Sequence, residues 1–138
     1  MDNNITLKKF SSDASIGWLS LELMFSSHYV LAKTNIISSD DELIENSKII
    51  DQYVKSDGRV KKNIYFGLGV VPCVYVDIRQ RNKRGQVKLD VKLEMKDSDG
   101  DIYHCFYPVI CELGALEQFS KKMVSIARND EIDMISLY

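Results

Sequence analysis

The chain has 138 residues, 45% of them hydrophobic and 28% charged, with seven Gly, two Pro and three Cys. That length suits one domain, and the composition excludes a disordered chain, a collagen-like repeat and a disulfide-stapled miniprotein. The net charge is only −2, but residues 1–54 carry −4, residues 55–96 carry +7 and residues 97–138 carry −5, a polarity able to steer a charged partner unless the segments neutralise one another on folding.

The first marked element is 18–25. Leu19, Leu21, Leu23 and Phe25 alternate with Trp18, Ser20, Glu22 and Met24, and period two predicts a strand with one buried face. A helix competes there, since Ile16, Leu19 and Leu23 also match helical spacing. Ser26-Ser27 breaks the run, and 29–37, rich in branched residues, predicts the second strand of a hairpin. Ser39 lies three residues before Glu42, a capping-box spacing, and Asp40 and Asp41 add negative charge where the helix dipole favours it. Leu43, Ile50 and Val54 continue the helix until Asp57-Gly58.

After the basic connector Arg59, Lys61, Lys62, the stretch Tyr65 to Pro72 reads as a loop or irregular edge. Val74, Val76 and Ile78 then share one strand face, with Tyr75, Asp77, Arg79 and Arg81 on the other. Asn82 to Gly85 is a turn. Val87, Leu89, Val91, Leu93 and Met95 alternate without error against Lys88, Asp90, Lys92, Glu94 and Lys96. Asp97 to Gly100 turns again, and 101–111, apolar on both faces, predicts a central strand. A helix over 112–127 and a short strand or packed tail over 132–137 complete an α+β single domain, residues 1–138. It is expected to be mainly an antiparallel sheet of about five to six strands with two helices packed on it.

The N-terminus Met1-Asp2-Asn3-Asn4 lacks a basic start and an apolar stretch after it, so no secretory signal is expected. The most apolar run, Ile16 to Phe25, is interrupted by Ser20 and Glu22 and is far short of the roughly 20 residues a membrane span needs. Cys73, Cys105 and Cys111 are odd in number and sit among apolar neighbours, as in a reducing compartment. The expectation is a cytoplasmic protein with no membrane partner.

The chemistry-bearing residues are sparse. Gly67-Leu68-Gly69 opens like a dinucleotide fingerprint, but its sixth position is Pro72 and no helix is predicted after it. Asp97-Ser98-Asp99-Gly100-Asp101 has its glycine fourth rather than sixth, which suits a turn and not a calcium loop. His104 and Cys105 are adjacent, so a strand would point them to opposite faces, and no CxxC or HxxxH spacing exists. A Cys73–His28 nucleophile pair has nothing in its spacing to favour it over core cysteines. No metal, no cofactor and no catalytic residue is expected, and the protein reads as a non-enzyme. Arg79, Arg81, Lys83, Arg84, Lys88 and Lys92 surround one hairpin, with Tyr75 as a stacking platform. Such a surface could bind phosphates, or could be a solvated face that discourages edge pairing. Interleaved Asp77, Asp90 and Glu94 make nucleic acid the weaker partner.

The stretch from Val87-Lys88-Leu89-Asp90 through Cys111-Glu112-Leu113-Gly114-Ala115-Leu116-Glu117, about a third of the chain, resembles bacterial immunity proteins of contact-dependent growth inhibition systems. The resemblance implies a protein that binds and neutralises one cognate toxin domain, often a nuclease, by covering its active site or substrate surface. No catalytic residue is carried over. Acidic side chains would speed encounter with a basic nuclease, making Asp40, Asp41, Glu42 and Glu45 candidate contacts, with Glu112 and Glu117 behind them. The first three equally serve the helix N-terminus. The alternative is a nucleic-acid-binding module using Arg79, Arg81, Arg84 and Lys88.

Overall fold

Eight strands and two helices form in the computed structural model, which describes residues 3–13 and 15–138. In chain order they are β1 (Asn4–Asp13), β2 (Trp18–Ser26), β3 (Leu31–Ser39), α1 (Asp40–Lys55), β4 (Lys62–Phe66), β5 (Cys73–Ile78), β6 (Gln86–Lys96), β7 (Ile102–Glu112), α2 (Leu113–Arg128) and β8 (Met134–Ser136). The strands make two four-stranded antiparallel sheets, ordered β3-β2-β1-β8 and β4-β5-β6-β7. The class is α+β, with two sheets and more strands than the sequence pattern predicts.

The period-two runs became strands as expected, because each buries one face. Leu19, Leu21, Leu23 and Phe25 of β2 join Val87, Leu89, Val91 and Leu93 of β6 in a single core with Leu43, Ile50 and Tyr53 of α1 and Leu116, Phe119, Met123 and Ile126 of α2. The helical alternative at 18–25 is therefore overturned. Three further departures have plain causes. β1 is invisible to the alternation rule because its inward positions run Ile5, Leu7, Lys9, and a bulge follows between Lys9 and Ser11. β4 takes up Tyr65 and Phe66, so only Gly67 to Pro72 remains loop. β7 is an edge strand, not a central one. Its even-numbered side is apolar yet exposed, with Phe106 68% accessible. Pro108 does not disturb its register against β6.

Ser39 caps α1 as the spacing predicts, its hydroxyl accepting from the Glu42 N–H at 3.1 Å. The reciprocal half of the capping box is replaced by longer-range bonds to the Glu42 carboxylate, described below. The helices run antiparallel: Asp40 at the start of α1 feels Asp130 beyond the end of α2, while Tyr53 near the end of α1 feels Cys111 just ahead of α2. At their centres the Ser120 hydroxyl donates to the Asp51 carboxylate at 2.9 Å and accepts from the Ser47 hydroxyl at 2.8 Å. α1 also covers the outer edge of β4. The Asn46 amide donates to the Tyr65 carbonyl at 2.8 Å and accepts from the Tyr65 N–H at 3.3 Å, standing in for a neighbouring strand.

The Tyr107 ring packs edge-on to that of Phe25, 6.1 Å between centroids, and its buried hydroxyl has no hydrogen-bond partner among the described residues. A buried hydroxyl without a partner costs more than it contributes. Tyr107→Phe is therefore expected to leave stability unchanged or raise it by up to about 1 kcal/mol in urea denaturation. A loss of more than about 1 kcal/mol would reveal a bond to that hydroxyl.

Candidate protein-binding face

The inner face of the second sheet belongs to the core, so pleating sends every other residue of β4–β7 outward. Register then sets the outward residues in rows. Tyr65 lies opposite Tyr75, Tyr75 opposite Lys92, and Lys92 opposite Phe106. The Tyr65 and Tyr75 rings meet at 4.9 Å between centroids. The Lys92 ammonium sits 5.2 Å from the Tyr75 centroid and 5.7 Å from that of Phe106, so the cation is held between two rings. The next row places Asp77 opposite Asp90 and Asp90 opposite Pro108. Tyr75, Asp77, Asp90, Lys92, Phe106 and Pro108 line a shallow, mostly apolar depression.

The row on the other side is Cys73, Glu94, His104, and it bears directly on whether the site is catalytic. The Cys73 thiol donates to Glu94 Oε2 at 3.5 Å, while His104 Nε2 lies 3.5 Å from Glu94 Oε1 and Lys92 Nζ 3.0 Å from the same oxygen. The sequence spacing points to none of this: the one Cys–His pair it raises, Cys73 with His28, has nothing to favour it over core cysteines. His28 is instead exposed in the β2–β3 turn with its ring 4.5 Å from Tyr29. Nucleophile activation requires the imidazole beside the thiol and the carboxylate behind it. Here the carboxylate stands between the two. Burial raises the Cys73 pKa, the Glu94 charge adds to it, and hydrogen bonding from Lys92 holds Glu94 ionised. The arrangement favours the thiol over the thiolate. Cys73 is also 2% exposed, roofed by Gly67 at φ +130, where a Cβ would come within 2.7 Å of the Cys73 Cβ.

The glycine loop does bind an anion, but one from its own chain. The Glu42 carboxylate accepts from the Gly67 N–H at 2.8 Å, the Leu68 N–H at 3.0 Å and the Ser38 hydroxyl at 2.6 Å. β5, not a helix, follows the loop. Asp97 accepts from the backbone N–H groups of Asp99 and Asp101, at 2.9 and 2.8 Å, and from the Tyr103 hydroxyl at 2.9 Å, which accounts for the turn and lowers its pKa. No group of three or more His, Cys, Asp or Glu able to hold a metal ion occurs among the described residues. Nor is any helix among them long and apolar enough to cross a membrane.

The six acidic candidates are not brought together. Asp40 to Glu45 start α1, and Glu112 and Glu117 lie where α2 starts, at the opposite end of the antiparallel pair. Within the first group, Glu42 clamps the loop, and Asp40 has one carboxylate oxygen buried without a partner among the described residues, so burial raises its pKa. Asp41 and Glu45 remain open to solvent and border the groove between α1 and β4 that Tyr65 also lines. Glu117 lies 3.9 Å from Lys121. Among the basic candidates, Arg79 is paired with Asp90 and Arg81 with Asp57 at 2.7 Å, both beyond the end of β5. Lys83, Arg84 and Lys88 carry no ion pair among the described residues.

The aromatic row escaped the sequence pattern because Tyr65 reads as loop and Phe106 as core; only register aligns them. No family model matches the chain, and no curated protein matches it with significant similarity.

Proposed function

We propose that this is a cytoplasmic immunity protein that neutralises a cognate toxin domain by covering its working surface, with the outer face of the second sheet as the core of the contact. The observation that carries the reading is the Tyr75–Lys92–Phe106 row. Exposed aromatic rings in a shallow depression with a charged rim are the composition of interface hot spots. Asp41 and Glu45 support it, since they flank the Tyr65 end of the row and would draw in a basic nuclease surface. The nucleic-acid alternative is weaker, because Arg79 and Arg81 already face carboxylates of their own chain.

The test is titration calorimetry with the C-terminal domain of a large exoprotein encoded immediately upstream. Expected is tight one-to-one binding that Tyr75→Ala with Phe106→Ala weakens at least about thirtyfold. Asp41→Lys with Glu45→Lys should mainly slow association, and less so at high salt. Absence of such a reading frame, or no binding and no protection of growing cells, overturns the proposal. Tight binding to duplex or single-stranded DNA that falls steeply with salt would favour the alternative.

A further inference from the structure

The two edges of the second sheet are finished differently. At β4 the Asn46 amide occupies the outward backbone groups of Tyr65. At β7 the Ile110 N–H donates outward to Asn3 Oδ1 at 3.0 Å, and the Glu112 N–H donates outward to the Tyr138 hydroxyl at 3.0 Å. Even-numbered residues of β7 therefore turn their N–H away from β6. The opposite strand agrees: Lys88, facing Ile110, gives its carbonyl to the Arg79 N–H on the β5 side at 3.1 Å. Because the β6–β7 register is unbroken, Ile102, His104 and Phe106 also aim their backbone groups outward. Pro108 shares that parity, so its missing N–H costs no ladder bond. The C-terminal half of β7 is thus closed by Pro108, Asn3 and Tyr138. Over Ile102–Phe106 no side chain among the described residues meets the outward N–H groups.

We propose that this open half-edge joins two copies of the chain, pairing antiparallel along Ile102–Phe106 to make one continuous eight-stranded sheet. The open run is its own complement. A two-fold axis at His104 sets Ile102 against Phe106 of the second copy, His104 against His104, and Phe106 against Ile102, all within the unblocked stretch. Three such pairs exchange about six backbone hydrogen bonds. Ile102 and Phe106, 54% and 68% exposed, cover one another twice on the outer face. The same register lays the acidic turn of each copy, with exposed Asp99 and Asp101, along the Pro108–Ile110 stretch of the other, next to the row holding the unpaired Lys88. An isologous contact of this kind closes on itself and leaves no free edge at that side. It does not depend on the toxin-binding reading, though it shares Phe106 with that row, and it would place two Tyr75–Lys92 rows on one sheet face.

The experiment is sedimentation equilibrium of the chain alone from about 5 µM to about 500 µM, with amide hydrogen exchange at both ends of the range. Expected is a monomer–dimer equilibrium with a dissociation constant on the order of 10–100 µM. The His104 and Phe106 amides should become protected as the dimer forms. His104→Pro removes an outward N–H, as Pro108 does naturally, along with a half-exposed imidazole beside Glu94, and should keep the fold while weakening the dimer at least tenfold. If that variant does not fold, Phe106→Lys serves in its place, with the same expected loss of dimer. A chain monomeric throughout the range overturns the proposal, as does a dimer that leaves both amides unprotected or that persists in the variant. Protection of those amides on adding the toxin domain to a monomeric chain would also overturn it, in favour of a partner's strand.

Discussion

Glu42→Ala is expected to cost about 3 kcal/mol in urea denaturation, with the m-value unchanged. The side chain links three separate pieces of the fold. It receives the Gly67 and Leu68 N–H groups of the β4–β5 loop and the Ser38 hydroxyl at the end of β3, and it lies in the first turn of α1, where the dipole favours a negative charge. Charge-assisted bonds of this type contribute about 1.5–3 kcal/mol each when a partner is removed, and their losses overlap. Glu42→Gln should recover only part of the loss, since an amide has one acceptor oxygen for two backbone donors. The loop roofs Cys73, so faster labelling of Cys73 by a thiol reagent should accompany the loss. A cost below about 1 kcal/mol with unchanged Cys73 labelling would mean that the loop is held by other contacts.

Lys9→Met is expected to cost about as much, near 3 kcal/mol, although it exchanges a charged residue for an apolar one at a buried position. The Lys9 side chain is 7% exposed, and its ammonium donates to the carbonyls of Ile126 and Asn129 at 3.1 and 3.3 Å, at the C-terminal end of α2. A cation there also meets the negative end of the helix dipole. Asp130 is 3.8 Å away but 92% exposed, and adds little. Methionine matches the stem but leaves the buried Ile126 carbonyl without its donor, whereas the Asn129 carbonyl keeps the Ile132 N–H at 3.1 Å. Loss of amide protection should concentrate in the last turn of α2 and in β8, because the Lys9 backbone N–H also holds the Asp133 carbonyl, at 2.6 Å. If stability instead stays within about 0.5 kcal/mol, the desolvation of the ammonium cancels its bonds.

These two residues show where sequence reading reaches its limit. Glu42 was visible as a capping residue from its distance to Ser39, because a cap is a local device spanning one helical turn. Its bonds to Gly67 and Leu68 span 25 and 26 residues and follow no spacing rule. Lys9 was worse than invisible: a lysine at an inward position erased the alternation that would have marked β1. The candidate acids were chosen by charge alone, and the antiparallel helix pair separates Asp41 and Glu45 from Glu112 and Glu117.

What the residue order determined by itself is the set of locally encoded elements: the strand β6 with its unbroken alternation, the helix begun by Ser39, the turn at Asp97–Gly100, and the amphipathic helix of Leu116, Phe119, Met123 and Ile126. Each depends on neighbours within a few residues, where side-chain periodicity and backbone geometry are coupled directly. Which strands pair, and in what register, was decided only in three dimensions, because pairing energy comes from residues far apart in the chain and a one-residue slip exchanges the two faces of a strand. That choice put Phe106 on an open edge instead of in the core. It also lined Tyr65, Tyr75 and Lys92 up beside Phe106, and set Glu94 between Cys73 and His104.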